Sequence, residues 1–241
     1  MKSIFNKIKY YFEKQKLFNR VSLEQSNFSI LDTETTGLNV SKGDKVISVA
    51  SLKINNFKIQ EDLVLDELVN PQINIPPEST EIHNIKDEDV KGKPTLIEIE
   101  DKILRFLKKS VLVGHNINFD INFLKDNAKG TNLAYRMKVI QPIDTIFLTA
   151  GLYPDLESYE LSNLCKHFNI KTDDQIRHSA LGDCRITARL FLFLLNKAKD
   201  KGVNNISGLV KLCNKGLSLH DIIKNAKKNS LIRSFFLKYF L

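Results

Sequence analysis

Cysteine is scarce in this chain: three in 241 residues, at positions 165, 184 and 213. Cys165, Cys184 and Cys213 are well separated and show no C-x-x-C spacing. That excludes a disulfide scaffold and a zinc ribbon, and points to a reducing compartment. No apolar run approaches the roughly 20 residues of a membrane-spanning helix. The N-terminus carries lysines without the apolar stretch and cleavage site of a secretory signal, so the expected location is the cytoplasm. Internal repeats and low-complexity tracts are absent. What remains is ordinary globular material, 42% hydrophobic and 27% charged. It suffices for one sizeable α/β domain with extensions.

Positive charge is unevenly spread. Residues 1–20 hold six Lys/Arg and one Glu, and residues 197–241 hold ten Lys/Arg and two Asp. Those ends carry +5 and +8, which leaves −5 of the overall +8 on residues 21–196. The basic ends could attract a polyanion, or could equally be the solubilising faces of surface helices. The division expected is a basic amphipathic extension at 1–26, a main domain at 27–196 and a basic helical extension at 197–241.

Three motifs lie in the acidic middle. Asp32-Thr33-Glu34-Thr35-Thr36-Gly37 ends an apolar run, His115-Asn116-Ile117-Asn118-Phe119-Asp120 follows a second, and His178-Ser179-Ala180-Leu181-Gly182-Asp183 opens a third. Phosphodiester cleavage needs a nucleophile at an anionic phosphorus and charge neutralised on the leaving oxygen, which two divalent ions a few ångströms apart can provide. Hard cations such as magnesium and manganese prefer oxygen ligands, so the protein must gather carboxylates. On a strand, Asp32 and Glu34 point to one face. Gly37 then ends that strand in a tight turn. Asp120 and Asp183 stand at the starts of two helices, and His178 precedes the second. An imidazole there can take a proton from an attacking water. Taken singly, each acid also reads as a solvated turn or a first-turn helix residue, and His178 as a surface histidine.

Strands are expected at 28–32, 46–54 and 57–65, with Asn55-Asn56 as a hairpin turn between the last two. Residues 70–77, with three prolines, read as a loop. A helix at 95–108 capped by Thr95, a strand at 111–114, a helix from about Phe119, a strand at 139–143 and helices at 159–168 and 180–195 follow. Three meander strands followed by alternating helix and strand imply an α/β fold, a mixed β-sheet with helices on both faces.

The motifs resemble those of the DnaQ-like 3′-to-5′ exonucleases of the DEDDh type, the family of the proofreading epsilon subunit of bacterial DNA polymerase III. The similarity covers about 27–195 and includes Asn70-Pro71, His83-Asn84-Ile85, Ile143-Asp144-Thr145 and Ser158-Tyr159-Glu160-Leu161. The tyrosine subtype has Tyr four residues before the last Asp. Here that position is Ser179 and His178 stands five before Asp183, which marks the histidine subtype. The resemblance implies a ribonuclease H-like fold. It implies that Asp32, Glu34, Asp120 and Asp183 hold two Mg2+ or Mn2+ and that His178 is the general base. Thr35 and Gly37 would lie against the terminal nucleotide, with His83 and Phe119 lining its pocket. His83 and Phe119 are as readily core residues, and His115-Asn116 read better as loop supports.

The implied activity is release of nucleoside 5′-monophosphates from single-stranded or frayed 3′ ends of DNA, in proofreading or repair. A second reading keeps the site and makes RNA ends or short oligoribonucleotides the substrate. A third is a non-catalytic replisome or nucleic-acid adaptor. The chain contains no recognisable polymerase segment, so proofreading would need a DNA polymerase or sliding clamp as partner. Ile4, Phe5, Ile8, Tyr11 and Phe12 recur at helical spacing among lysines, and Gln15-Lys16-Leu17-Phe18 resembles a clamp-binding peptide with imperfect spacing. Ser218 would cap a last helix bearing Leu219, Ile222, Ile223 and Ala226, with Ile232, Phe235, Phe236 and Tyr239 beyond. Such end helices would pack on each other or on the core, or dock a partner.

Overall fold

Alternation along residues 28–54 builds the centre of the molecule. A computed structural model describes residues 21–172, 174–175 and 178–226, with side chains to 218. Residues 1–20 and 227–241, which hold the apolar pattern from Ile4 to Phe12, the clamp-like Gln15-Lys16-Leu17-Phe18 and the stripe from Ile232 to Tyr239, lie outside the described residues. Strands β1 (Asn27–Thr35), β2 (Val46–Asn55) and β3 (Lys58–Leu68) form an antiparallel meander. β4 (Val111–Gly114) and β5 (Ile143–Asp144) join parallel to β1, giving the order β3-β2-β1-β4-β5.

The helices are α1 (Pro77–His83), α2 (Asp87–Val90), α3 (Glu100–Leu107), α4 (Asn118–Asn127), α5 (Asn132–Val139), α6 (Thr145–Leu152), α7 (Leu161–His167), α8 (Ala180–Asp200) and α9 (Ile206–Ala226). Even positions of β1 and β2 (Phe28, Ile30, Ala50, Leu52, Ile54) pack against α6, α7 and α8. Odd positions (Leu31, Val49) pack with Leu112 against α3, α4 and α5. The expected mixed sheet covered on both faces is therefore present. Phe28 meets Phe191 of α8 edge to face at 5.0 Å, and both are fully buried.

Several boundaries differ from expectation. The β2–β3 hairpin turns at Asn56-Phe57, since Asn55 pairs with Lys58. Both turn residues have positive φ, 51° and 57°, as a type I′ turn requires. The strand expected at 139–143 is only Ile143–Asp144: α5 runs to Val139, and Pro142 has no N–H to give to a ladder. α1 begins at Pro77, inside the stretch read as loop, because proline suits a first helical turn. Thr95 does cap a turn, exchanging bonds with Glu98 at 2.7 Å and 3.4 Å, but the regular helix starts at Glu100. Ser218 lies within α9 and bonds back to the Asn214 carbonyl at 2.9 Å.

α8 continues to Asp200, and α9 crosses α6 at backbone contact. A Cβ on Gly151 would stand 2.2 Å from the Leu212 carbonyl oxygen, and one on Gly216 2.0 Å from that of Phe147. The chain before β1 is tied to the loop between α8 and α9: Ser22 bridges Asn205, and Leu23 N–H donates to Asn204 O at 3.0 Å. No helix among the described residues is long and apolar enough to cross a membrane.

Candidate active site

β1 carries Phe28 and Ile30 into the core on its even side, then runs past the core's edge. The next two even residues, Asp32 and Glu34, consequently emerge half-exposed on the α8 side. Asp183 sits in the first turn of α8, which Ser179 caps by accepting the Gly182 N–H at 3.2 Å. One ligand oxygen each from Asp32, Glu34 and Asp183 lie within 4.8 Å of one another. This all-carboxylate oxygen set suits a hard divalent cation, and the helix N-terminus eases the gathering of negative charge. A β-bulge between Glu34 and Thr35 ends the regular pairing beside these acids.

Asp120 approaches from the opposite face, on α4, and lies outside that group of three. It is 4% exposed, and its carboxylate accepts the Thr33 hydroxyl at 2.7 Å. Thr33 points away from Asp32 and Glu34 by strand alternation, so one residue links the acid on α4 to the two on β1. Burial pushes the Asp120 carboxyl up to about 7; the Thr33 hydroxyl opposes the shift, and the nearby Asp144 charge adds to it.

His178 is exposed, in the left-handed region at φ 57°, directly before the Ser179 cap. Thr35 is buried and donates its hydroxyl to Gly37 O. A Cβ on Gly37 would stand 2.4 Å from an Asp44 carboxylate oxygen and would displace that carboxylate, which accepts the Asn39 N–H at 2.8 Å. His83 is 6% exposed; its Nδ1 accepts the Ile85 N–H at 3.1 Å, and its buried Nε2 makes no hydrogen bond. Burial lowers the His83 pKa and the neighbouring Thr35 backbone opposes the shift, so two residues expected at the pocket lie side by side. Phe119 is half-buried, its ring 4.7 Å from Phe123.

Three supports were not anticipated in these roles. The Ser79 hydroxyl donates to Thr36 O at 2.8 Å and fastens α1 to the end of β1. Asp144 accepts N–H bonds from Asn116, Ile117 and Ile146 at 3.2, 3.1 and 2.9 Å, fixing the loop that leads to Asp120. Burial still raises its carboxyl to about 6. Cys184 turns inward behind Asp183, 3.4 Å from Ala50 O, and burial drives its thiol well above the usual range, so it is no nucleophile. His115 bonds Thr145 at 2.9 Å, as a loop support should. The signal for Thr33 was its parity, opposite to the acids that flank it.

The RNase_T exonuclease family model matches residues 29–191, which contain all three motifs. The chain belongs to this exonuclease family. A DNA polymerase III PolC-type protein of Caldanaerobacter subterraneus subsp. tengcongensis is 36% identical over 189 residues, 78% of this chain and 13% of its own length. A DNA polymerase III subunit epsilon-like protein of Rhodobacter capsulatus is 34% identical over 190 residues, 78% of this chain and 26% of its own. The chain thus spans a minor part of these relatives. Among solved exonucleases, Exonuclease X in complex with 5′ overhanging duplex DNA is 29% identical at a TM-score of 0.54, covering 71% of this chain and 93% of that one. The nuclease domain of 3′hExo, a DEDDh member bound to rAMP, shares the fold at TM-score 0.60 and 15% identity, over 73% of this chain and 94% of its own. The DnaQ-like resemblance and the ribonuclease H-like fold both stand.

Proposed function

We propose that the chain is a metal-dependent 3′-to-5′ exonuclease that removes nucleoside 5′-monophosphates from DNA ends. The observation carrying this is the convergence of Asp32, Glu34 and Asp183 within 4.8 Å in a chain of the exonuclease family. Asp32, Glu34, Asp120 and Asp183 would hold two Mg2+ or Mn2+, whose chemistry there is to polarise the attacking water and neutralise the leaving oxygen. His178 takes the proton from that water and, being exposed, passes it to solvent. Thr35 and the backbone to Gly37 bear on the terminal nucleotide, with His83 and Phe119 beside it. DNA is favoured over RNA by the polymerase-related names of the relatives above 30% identity and by Exonuclease X. The same polymerase-related names support a DNA polymerase as the partner it serves.

The test is digestion of two 5′-labelled single strands of one sequence, DNA and RNA, with Mg2+, Mn2+ or chelator. A metal-dependent ladder on DNA is expected, absent in Asp32→Ala and Asp183→Ala variants that keep their circular dichroism. A ladder on RNA alone would move the substrate and keep the site. Full activity in either variant would overturn the site.

A further inference from the structure

Arg189 lies on α8, six residues beyond Asp183, or about 9 Å along the helix. Its guanidinium grips the loop that precedes the same helix. Nη1 and Nη2 donate to the two carboxylate oxygens of Asp174 at 2.6 and 2.8 Å, and Nη1 also donates to the Lys171 carbonyl at 2.9 Å. These bonds hold the Asp174 carboxyl well below the usual carboxylate range. Four residues later comes His178, with left-handed backbone, and then the Ser179 cap. Asp174, four residues before His178, and Ser179, directly after it, are thus each bonded to α8, by the fork and by the cap.

We propose that Asp174 and Arg189 are positioning residues that hold His178 over the N-terminus of α8, where Asp183 stands. This rests on His178 being the general base. A base on an exposed loop loses effectiveness unless its geometry is prepaid, because a displacement of about 1 Å can cost a hundredfold in rate. A bidentate guanidinium–carboxylate pair supplies that order through two parallel bonds, which a lysine cannot reproduce. Exposed pairs of this kind add little to global stability. The pair's effect thus falls on turnover and leaves the fold almost untouched.

The experiment compares the full chain with Asp174→Asn, Arg189→Lys, His178→Ala and the Asp174→Asn/His178→Ala double variant on a 5′-labelled DNA strand with Mn2+, alongside thermal midpoints. Asp174→Asn and Arg189→Lys are expected to lower kcat about tenfold. KM for DNA should stay within about twofold and the midpoint should hardly move. In the His178→Ala background, Asp174→Asn should cost nothing more, since the loss runs through His178. Parental kcat in Asp174→Asn and Arg189→Lys, an equal loss in the His178→Ala background, or a lowered midpoint in both single variants would overturn the positioning role while the base assignment stands. Parental turnover in His178→Ala would remove the base assignment and this inference together.

Discussion

Thr33 and Asp144 show how the site depends on residues that do no chemistry. Thr33 donates to Asp120 across the edge of β1. Groups that orient a metal ligand are typically worth tenfold or more in metal affinity. Thr33→Val keeps the shape and removes the donor. It should raise the Mn2+ concentration for half-maximal cleavage about tenfold, with Thr33→Ser near parental. The metal-induced rise in melting temperature should weaken in parallel. Asp144 is buried among backbone N–H donors, and its carboxyl lies at about 6 against an ordinary 3.8. The raised value means the folded state holds the proton longer than the unfolded chain does. Its favourable contribution is therefore complete below about pH 4 and is lost as pH rises through about 6. Asp144→Asn cannot accept all three N–H bonds and should be destabilised at every pH. Its deficit should shrink between pH 4 and pH 7 in thermal melts, because the parent alone must then bury a charge. The convergence of Asp32, Glu34 and Asp183 was legible because the reaction dictates their types. Thr33 was not, because its role depends on which face of the sheet α4 covers.

Among elements, those with clear periodicity were recovered and those set by neighbours were not. β1 announces itself by its apolar run, β2 by its β-branched residues and α8 by its long apolar-rich stretch. α6, Thr145–Leu152, is apolar nearly all round and carries no amphipathic period, since it is enclosed by α8 and α9. Residues 139–143 look like a strand, yet the end of α5 and Pro142 leave only two residues to pair. The crossing of α6 and α9 gives the sharpest test at this scale. Gly216 faces the Phe147 carbonyl and Gly151 that of Leu212, both rigid backbone. Gly216→Ala or Gly151→Ala must push the helices apart, at about 1–3 kcal/mol in urea unfolding. The site lies on other elements, so turnover of the folded fraction should hold. Phe191→Ala, which empties the contact with Phe28, should cost about 3–5 kcal/mol.

At the scale of the whole molecule, the sheet divides labour between its faces. The face with α8 gathers the carboxylates of Asp32, Glu34 and Asp183, and the face with α4 would supply the proposed fourth, Asp120. Without cations the acids repel one another, so ligand binding is linked to folding. Mg2+ or Mn2+ should raise the thermal midpoint, chelator should reverse this, and Asp32→Ala or Asp183→Ala should abolish the shift. DNA cleavage at subsaturating substrate should fall steeply with salt, since phosphate contacts dominate affinity.

Because successive residues of β1 serve opposite faces, the strand has a reading frame of two. Removing a single residue between Asn27 and Asp32 would turn Asp32 and Glu34 toward α4 and Thr33 toward α8, exchanging ligand and support at one stroke. No intermediate half-site exists along that route. The loops that flank β1 can lengthen or shorten without moving the acids to another face, whereas the strand's own residue count cannot change by one.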